Sequence, residues 1–515
     1  MDRHLLVLVA FVLSSTAAWG QDPTPIGQRR ELFVDAALID RLVGGAEQRL
    51  HAPQPREVVL EHDAPWEGSG SGYHSVFHDG TRYRMYYKAW QLTVTPEKLD
   101  TAEHPLFCCY AESDDGIRWR KPELGLHDFQ GSRANNIVIS QEALGKTRPD
   151  GGHPAVFLDE NADALPDARY KALVRSASPR GLLALKSADG LRWSPMVDEP
   201  VITDGAFDSQ NLAFWDGERG VYRAYWRYFA AGVVDEEGNR SPGRRAIRTA
   251  TSKDFIRWTD QRDLEYVDSP PEQLYTNQIK PYYRAPHILI GFPTRYVERS
   301  WSPSLRALPE REHRESRSRA SQRYGTAITE ALVMSSRDGV RFHRWNEAFL
   351  RPGIEREGTW NYGQQYLAWH VVETPSDLPG APPELSLYAS ESYWTGKSSL
   401  VRRYTLRLDG FVSIWAPQRG GEVITKPIVF TGRRLSLNFS SSAAGGIQVE
   451  IQDAAGTPLP GYSLADSEPQ YGDSLHRTVT WKSGSDVGAL EGQGVRLRFV
   501  LSDADLYAFQ FQAGQ

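Results

Sequence analysis

Five times in this chain, polar side chains stand at the start of a short apolar run, where a strand buried by its neighbours should be apolar. The stretch WEGSGSGYHSV carries Glu67 and His74, and PDGGHPAVF carries Asp150 and His153. FDSQNLAFW carries Asp208, Gln210 and Asn211; LYTNQIKPYY carries Tyr275, Asn277 and Lys280; REGTWNYGQQY carries Glu357, Asn361 and Tyr362. Burying such groups without partners costs roughly 1–3 kcal/mol each. Five coincident departures from local patterning therefore point to a site. The competing reading is a water-filled axis lined by satisfied polar groups, in which a single residue such as His74 is a hydrogen-bonded structural histidine.

Carboxylates gathered this way could perform glycoside cleavage, the chemistry that the family resemblance described below implies, although no spacing in the sequence fixes their roles. Such cleavage needs two carboxyl groups, about 5–5.5 Å apart for retention and about 6.5–9.5 Å for inversion. One must stay protonated, which burial or a neighbouring like charge achieves. Asp208 is the expected base, nucleophile or stabiliser, and Glu357 the expected acid. Glu391, in LYASESYW, and Glu67 are reserves; Glu391 reads equally as a strand-end carboxylate paired with Arg402 or Arg403. Glu67, His74, His153, Gln210, Asn211, Tyr275, Asn277, Asn361 and Tyr362 are the expected substrate contacts. No metal is expected. Calcium at the axis is the weaker alternative, because two of its three candidate ligands, His74, His153 and Asp208, are imidazoles and calcium prefers oxygen.

These residues lie far apart in sequence, so a repeated element must gather them. SDDGIRW, SADGLRW, SKDFIRW and SRDGVRF end in Trp119, Trp193, Trp258 and Phe342, at intervals of 74, 65 and 84 residues. Each phrase follows three short runs rich in β-branched and aromatic residues, and Asp-Gly is a preferred hairpin turn. A fifth unit ends in RLDGFVSIW, where the phrase should stand. Five four-stranded units predict a five-bladed β-propeller. The phrase caps the outer hairpin, and its aromatic pins the outermost strand to its neighbour. The stretch 295–323, rich in arginine, is an insertion in the fourth unit. It reads as a solvated mobile loop with offsetting glutamates; the competing reading is a surface for a sulfated or uronate polymer, whose anions arginine forks match.

After Trp415 the pattern changes to strict alternation. Leu435, Leu437 and Phe439 face one way, as do Ile447, Val449 and Ile451, and Val495, Leu497, Phe499 and Leu501. Period-2 strands with one buried face predict a β-sandwich. The expected domains are a signal peptide at 1–20, the propeller at 21–418 and the sandwich at 419–515. A five-bladed propeller followed by a sandwich resembles the invertase–levansucrase–arabinanase superfamily, above all glycoside hydrolase family 32. In LRLDGFVS and VRLRFVLSDADLY it resembles exported proteins of planctomycete-type bacteria. The WMNDPNG, RDP and EC motifs of family 32 are missing, so none of that family's catalytic residues is carried over. The resemblance implies fold, and function by analogy only.

The charge of −6 argues against nucleic acid as a partner, since phosphate binding needs a basic surface. An apolar run from Leu5 to Leu13, followed by small residues, predicts a signal peptide and an exported protein, periplasmic or extracellular in a bacterium. No stretch is long enough for a membrane span. Cys108 and Cys109 are adjacent and would point to opposite faces of a strand, poorly placed to bridge. The expected function is hydrolysis of a poly- or oligosaccharide. The alternatives are a non-catalytic carbohydrate-binding propeller and, third, a protein-interaction scaffold.

Overall fold

The computed structural model describes residues 22–95, 99–142, 144, 146–231 and 243–514; the predicted signal peptide lies outside them. The chain forms two compact units. One comprises Leu32–Asp35 and Gln48–Ser413; the other comprises the described residues up to Glu31, then Ala36–Glu47 and Ile414 onward. This division differs from a single cut at 418, because N-terminal strands belong to the second unit: Ile39–Gly44 pairs with Gly421–Thr425.

The first unit is a five-bladed propeller. Its inner strands are Gly72–His78, Ala155–Leu158, Leu212–Asp216, Lys280–Tyr282 and Val372–Thr374, each the edge of its own sheet. All five follow the polar stretches read from the sequence. The fifth blade departs from expectation. Its fourth strand is Gln54–Glu61, from the start of the propeller, paired antiparallel with Leu400–Leu406. The circle is thus closed by hydrogen bonds between the two ends of the propeller's chain, with Gln54–Glu61 as the outermost strand of that blade. RLDGFVSIW does not end that blade; Ile414, Trp415 and Ala416 pair instead with Leu506, Asp505 and Ala504 in the second unit.

The recurrent phrase is a side-chain-stapled turn after the third strand. Asp115 Oδ1 accepts from the backbone N–H of Ile117 at 2.8 Å and Arg118 at 2.7 Å, while Ser113 Oγ accepts from Gly116 N–H at 2.9 Å. Asp189, Asp254 and Asp338 accept from the same two positions of their own turns. In three of the four phrases the aromatic reaches across to the preceding blade rather than along its own, while Trp258 meets Phe255 of its own turn. Trp119 packs edge-on against Tyr388, whose hydroxyl donates to Gly116 O at 2.5 Å. Phe342 meets Tyr225, which donates to Gly339 O at 2.8 Å. Trp193 meets Tyr86. The phrase is therefore a clamp between blades.

The 295–323 insertion is ordered, not a solvated loop. Strands Thr294–Val297 and Ile328–Ala331 pair, and between them run helices α1 (Pro303–Ala307), α2 (Arg311–Ala320) and α3 (Gln322–Thr326). Arg314 and Arg317 are fully buried. Arg314 donates to the carbonyl of Trp360 at 2.5 Å, and Arg317 to those of Trp394 and Asn361 Oδ1, each at 2.9 Å. Arginine carries several donors in a fixed fork, so it can satisfy carbonyls that a loop leaves unpaired. The helices are pinned to blade five by this means.

In the second unit the long strands Arg434–Asp453 and Val495–Gln512 pair along most of their length, with a register break between Ser441 and Gly446. Such a break bends both strands and lets one pair serve two layers. The ten alternating residues predicted to share a core are all buried. Cys108 and Cys109 are free and buried, in different core clusters.

Candidate functional site

At the leading ends of the inner strands lies a cluster of buried aromatic rings. Tyr73 comes from blade one, Tyr275 from the approach to blade four, and Tyr362, Tyr366, Tyr393 and Trp394 from blade five. Tyr366 stacks between Tyr73, with centroids 5.9 Å apart, and Tyr275 at 5.5 Å. Tyr362 donates to the Tyr275 hydroxyl at 2.9 Å. Tyr366 is 3% exposed and its hydroxyl has no partner. Tyr73 and Trp394 hold φ of 54° and 60°, a left-handed conformation that costs a non-glycine residue roughly 1 kcal/mol or more. Strain of this kind persists only where the surroundings enforce it.

Two cations are set among these rings. Lys88 donates to Tyr393 at 2.9 Å and lies 4.6 Å from the centre of the Tyr73 ring. Burial brings its ammonium down to about 7, against the pull of Asp150. Arg227, 4.8 Å from the Tyr275 ring, is paired with Asp208. Burial alone would raise the Tyr275 phenol; the Arg227 charge, the Tyr362 hydrogen bond and the Arg245 charge together outweigh it and hold the group below the ordinary phenol range.

Several expected contacts stand at or beneath this cluster. His153 Nδ1 is 2.8 Å from Asp150 Oδ2, and its ring lies 5.5 Å from that of Tyr73. Burial lowers the imidazole despite the carboxylate, so the ring is neutral at pH 7, with Asp150 fixing its orientation. Gln210 donates to Tyr73 O, Ser75 Oγ and Pro154 O at 3.0–3.1 Å and accepts from Gln278 at 2.7 Å. Gln278 also donates to Leu367 O at 2.9 Å. These two amides tie all the blades but the third's inner strand together across the axis, with Gln210 itself leading into that strand. They form a hydrogen-bonded plug across the axis.

The remaining expected residues serve local structure. His74 Nε2 meets His62 Nε2 at 3.2 Å, and burial holds both imidazoles neutral. Asn211 donates to Phe207 O and Ser209 O. Asn277 Oδ1 accepts from Ile279 N–H at 3.4 Å. Asn361 donates to Glu310 at 2.9 Å and accepts from Arg317, so it anchors the helical insertion.

The four expected carboxylates stand in separate environments. Asp208 is exposed and pairs with Arg227; Glu357 is exposed and pairs with Lys397. Glu391 is buried, accepting from Arg356 at 2.5 Å and Arg402 at 2.8 Å. Glu67 is buried, accepting from Tyr87 at 2.5 Å, Lys121 at 2.6 Å and Ala64 N–H at 3.0 Å. Burial raises its pKa, against Lys121. None of the four shares a bonded partner with another, and Asp208 alone is tied to the aromatic cluster. His74, His153 and Asp208 are each held by a different partner, and no group of three candidate ligands is placed to hold a metal among the described residues.

Sequence reading missed Tyr73, Tyr366, Lys88 and Arg227. Tyr73 lies beside His74, which drew attention, and Tyr366 closes REGTWNYGQQY, from which Glu357, Asn361 and Tyr362 were taken. Lys88 and Arg227 sit on second strands, in YRMYYKAW and VYRAYWRYF. A lone cation inside an otherwise apolar and aromatic strand was the available signal, since buried Lys and Arg need partners.

No known protein family matches the chain, and no curated protein matches it in sequence. Among solved structures it is similar to an N-acetylgalactosamine deacetylase from F. plautii, at a TM-score of 0.38 and 14% identity, over 74% of this chain and 93% of that one. It is similar to the catalytic domain of a GH62 α-L-arabinofuranosidase from Coprinopsis cinerea, at 0.39 and 9%, over 69% and 97%. A GH32 β-fructofuranosidase from Bombyx mori aligns at 0.38 and 9%, over 91% and 95%. Likeness this distant says nothing of what this chain binds or does; the propeller is established by its own five blades.

Proposed function

We propose that the propeller binds a saccharide at the leading-end aromatic cluster and hydrolyses a glycosidic bond there. The observation that carries the reading is the cluster itself. Five tyrosines and a tryptophan, drawn from three blades, are buried together with Lys88 and Arg227 at the mouth of a plugged axis. Aromatic faces stack on the C–H faces of sugar rings, and phenol and cation donors fix hydroxyls. Asp208 is the carboxylate assigned to the reacting carbon, being exposed and held by Arg227. The Asp150–His153 pair is assigned to taking a proton from the attacking water, because a neutral imidazole oriented by a carboxylate is a base, and the Lys88 ammonium in the same cluster to giving one to the leaving oxygen. Glu357 and Glu391 have no role in this assignment.

Binding without cleavage is the second reading. The specific observation in its favour is that no two of Asp208, Glu357, Glu391 and Glu67 share a partner, whereas hydrolysis by paired carboxylates needs them close. Titrating the purified protein with polysaccharide fragments, following tryptophan fluorescence and reducing-sugar release together, separates the two. Release that fails in His153→Ala while binding survives supports hydrolysis. Binding with no release for any fragment leaves a lectin-like propeller. Neither binding nor release removes both. Export is part of the proposal and rests on the first twenty residues.

A further inference from the structure

The inner strands of blades one, four and five run from the aromatic cluster to a second place. Beyond the Gln210–Gln278 plug, at their trailing ends, lies a cavity of ≈ 510 Å³. Tyr73 begins the blade-one strand at the cluster and His78 ends it at the cavity; Tyr275 and Tyr282 do the same around blade four. In blade five Tyr366 is at the cluster while His370 and Glu373 line the cavity. The volume is within the range of small-ligand sites.

Three features mark the cavity as built. First, it holds polar atoms with nothing to bond. Gln278 is 2% exposed and His370 is 7% exposed, and Gln278 Oε1 and His370 Nε2 have no hydrogen-bond partner. A buried acceptor left unpaired costs roughly 1–3 kcal/mol, and a bound ligand relieves that cost. Second, the same two residues hold left-handed backbone, φ 47° at Gln278 and 79° at His370. Strain in non-glycine residues collects where a site must be shaped. Third, the walls combine aromatic faces with both signs of charge. Tyr283 stands half-exposed at the rim, with its hydroxyl donating to Glu373 at 2.5 Å, and Phe292 and Phe411 lie behind it. Lys280 Nζ is 3.8 Å from Glu160 Oε1.

This composition selects the ligand class. The one lining lysine is matched by two lining carboxylates, so the cavity offers no net positive charge to an anion. His370 is held neutral by burial and by the Lys280 charge. What remains is a set of acceptors, Gln278 Oε1 and the carboxylates, with Lys280 as donor and flat apolar walls. We propose that this cavity is a second saccharide site, taking the ring of a neutral sugar whose hydroxyls donate to Gln278 Oε1 and His370 Nε2 and whose apolar face lies on Tyr283. It goes beyond the proposed hydrolysis and does not depend on it, since the plug separates the two places.

The full chain is crystallised and soaked separately with methyl β-D-glucopyranoside, methyl β-D-galactopyranoside, methyl β-D-xylopyranoside and methyl α-L-arabinofuranoside, with sodium glucuronate as the charged arm. The same five probes are titrated in solution by saturation-transfer NMR against wild type, Tyr283→Ala and Lys280→Met. At least one neutral glycoside is expected in the cavity, with its Kd raised about tenfold or more in both variants. Tyr283 is at the rim, so its truncation tests the site without threatening the fold. Asp208→Asn should leave this binding intact, which keeps its failure distinct from failure of the hydrolytic reading. Ordered water alone in the cavity, a preference for glucuronate, or Kd values unmoved in both variants would each overturn the proposal.

Discussion

Lys88 is 3% exposed, with its ammonium brought down to about 7 by burial. Its unfolded pKa is the ordinary 10.5. Between those values the unfolded chain binds more protons at this residue than the folded one, so its contribution makes stability rise with pH. The contribution is lost as pH falls through about 7, and its slope is at most about 1.4 kcal/mol per pH unit. Urea unfolding at pH 7 and pH 9 should show the rise in wild type and a smaller one in Lys88→Met. Equal pH dependence in the two would contradict the burial argument. Tyr275 shifts in the same sense for a different reason, the Arg227 and Arg245 charges overcoming burial. On alkaline titration one tyrosine should ionise ahead of the rest by ultraviolet absorbance. That early step should vanish in Tyr275→Phe and move upward in Arg227→Met.

The turn clamp shows what one element requires. Three of the four phrases place glycine after the aspartate, at φ of 73°, 78° and 84° for Gly116, Gly190 and Gly339. The third places Phe255 there, at φ 66° and fully buried. Across the blade boundary the register explains the exception. Tyr86 and Tyr225 stand three residues after the partner of the turn serine, whereas blade two has Leu173 at that position. Leu173 and Phe255 belong to one buried cluster. The Phe255 ring fills space that a tyrosine fills at the other junctions, at a backbone cost of about 1–2 kcal/mol. Phe255→Gly should relieve that strain yet destabilise by about 2–4 kcal/mol, because loss of a buried ring costs more. Leu173→Tyr combined with Phe255→Gly rebuilds the regular clamp, so a double-mutant cycle by urea denaturation should show favourable coupling. Additive effects would mean the two sites are independent.

At the scale of the whole molecule, the propeller was legible because its punctuation is local. A serine, an aspartate and an aromatic within seven residues encode each turn, and the polar stretches before the inner strands fall where they were read. The sandwich core was legible because alternation along Arg434–Asp453 and Val495–Gln512 is strict. Closure of the circle was not legible. Gln54–Glu61 pairs with a strand more than 300 residues away, and nothing in its own pattern names that partner. Nor was the order of the 295–323 insertion, since a run of arginines reads as solvated unless carbonyls elsewhere are waiting for Arg314 and Arg317. The site was half legible for the same reason. Asp150, His153, Gln210 and Tyr275 lie on the predicted strand starts, but the cations that set their chemistry come from second strands.

Val401→Pro, opposite Leu60 near the start of the strand Leu400–Leu406 that receives Gln54–Glu61, tests closure at this scale. It removes a ladder donor and should cost about 3 kcal/mol or more, read as a lower urea midpoint. An unchanged midpoint would contradict the closed circle.

The most direct measurement is the rate of reducing-sugar release from a polysaccharide panel by wild type and by Asp208→Asn. Because Arg227 beside Asp208 is buried, equal urea midpoints for the two proteins check that the variant folds. Release by wild type and a loss of about a hundredfold or more in the variant is the predicted result. Equal rates in the two proteins would place the reacting groups somewhere other than the leading-end cluster.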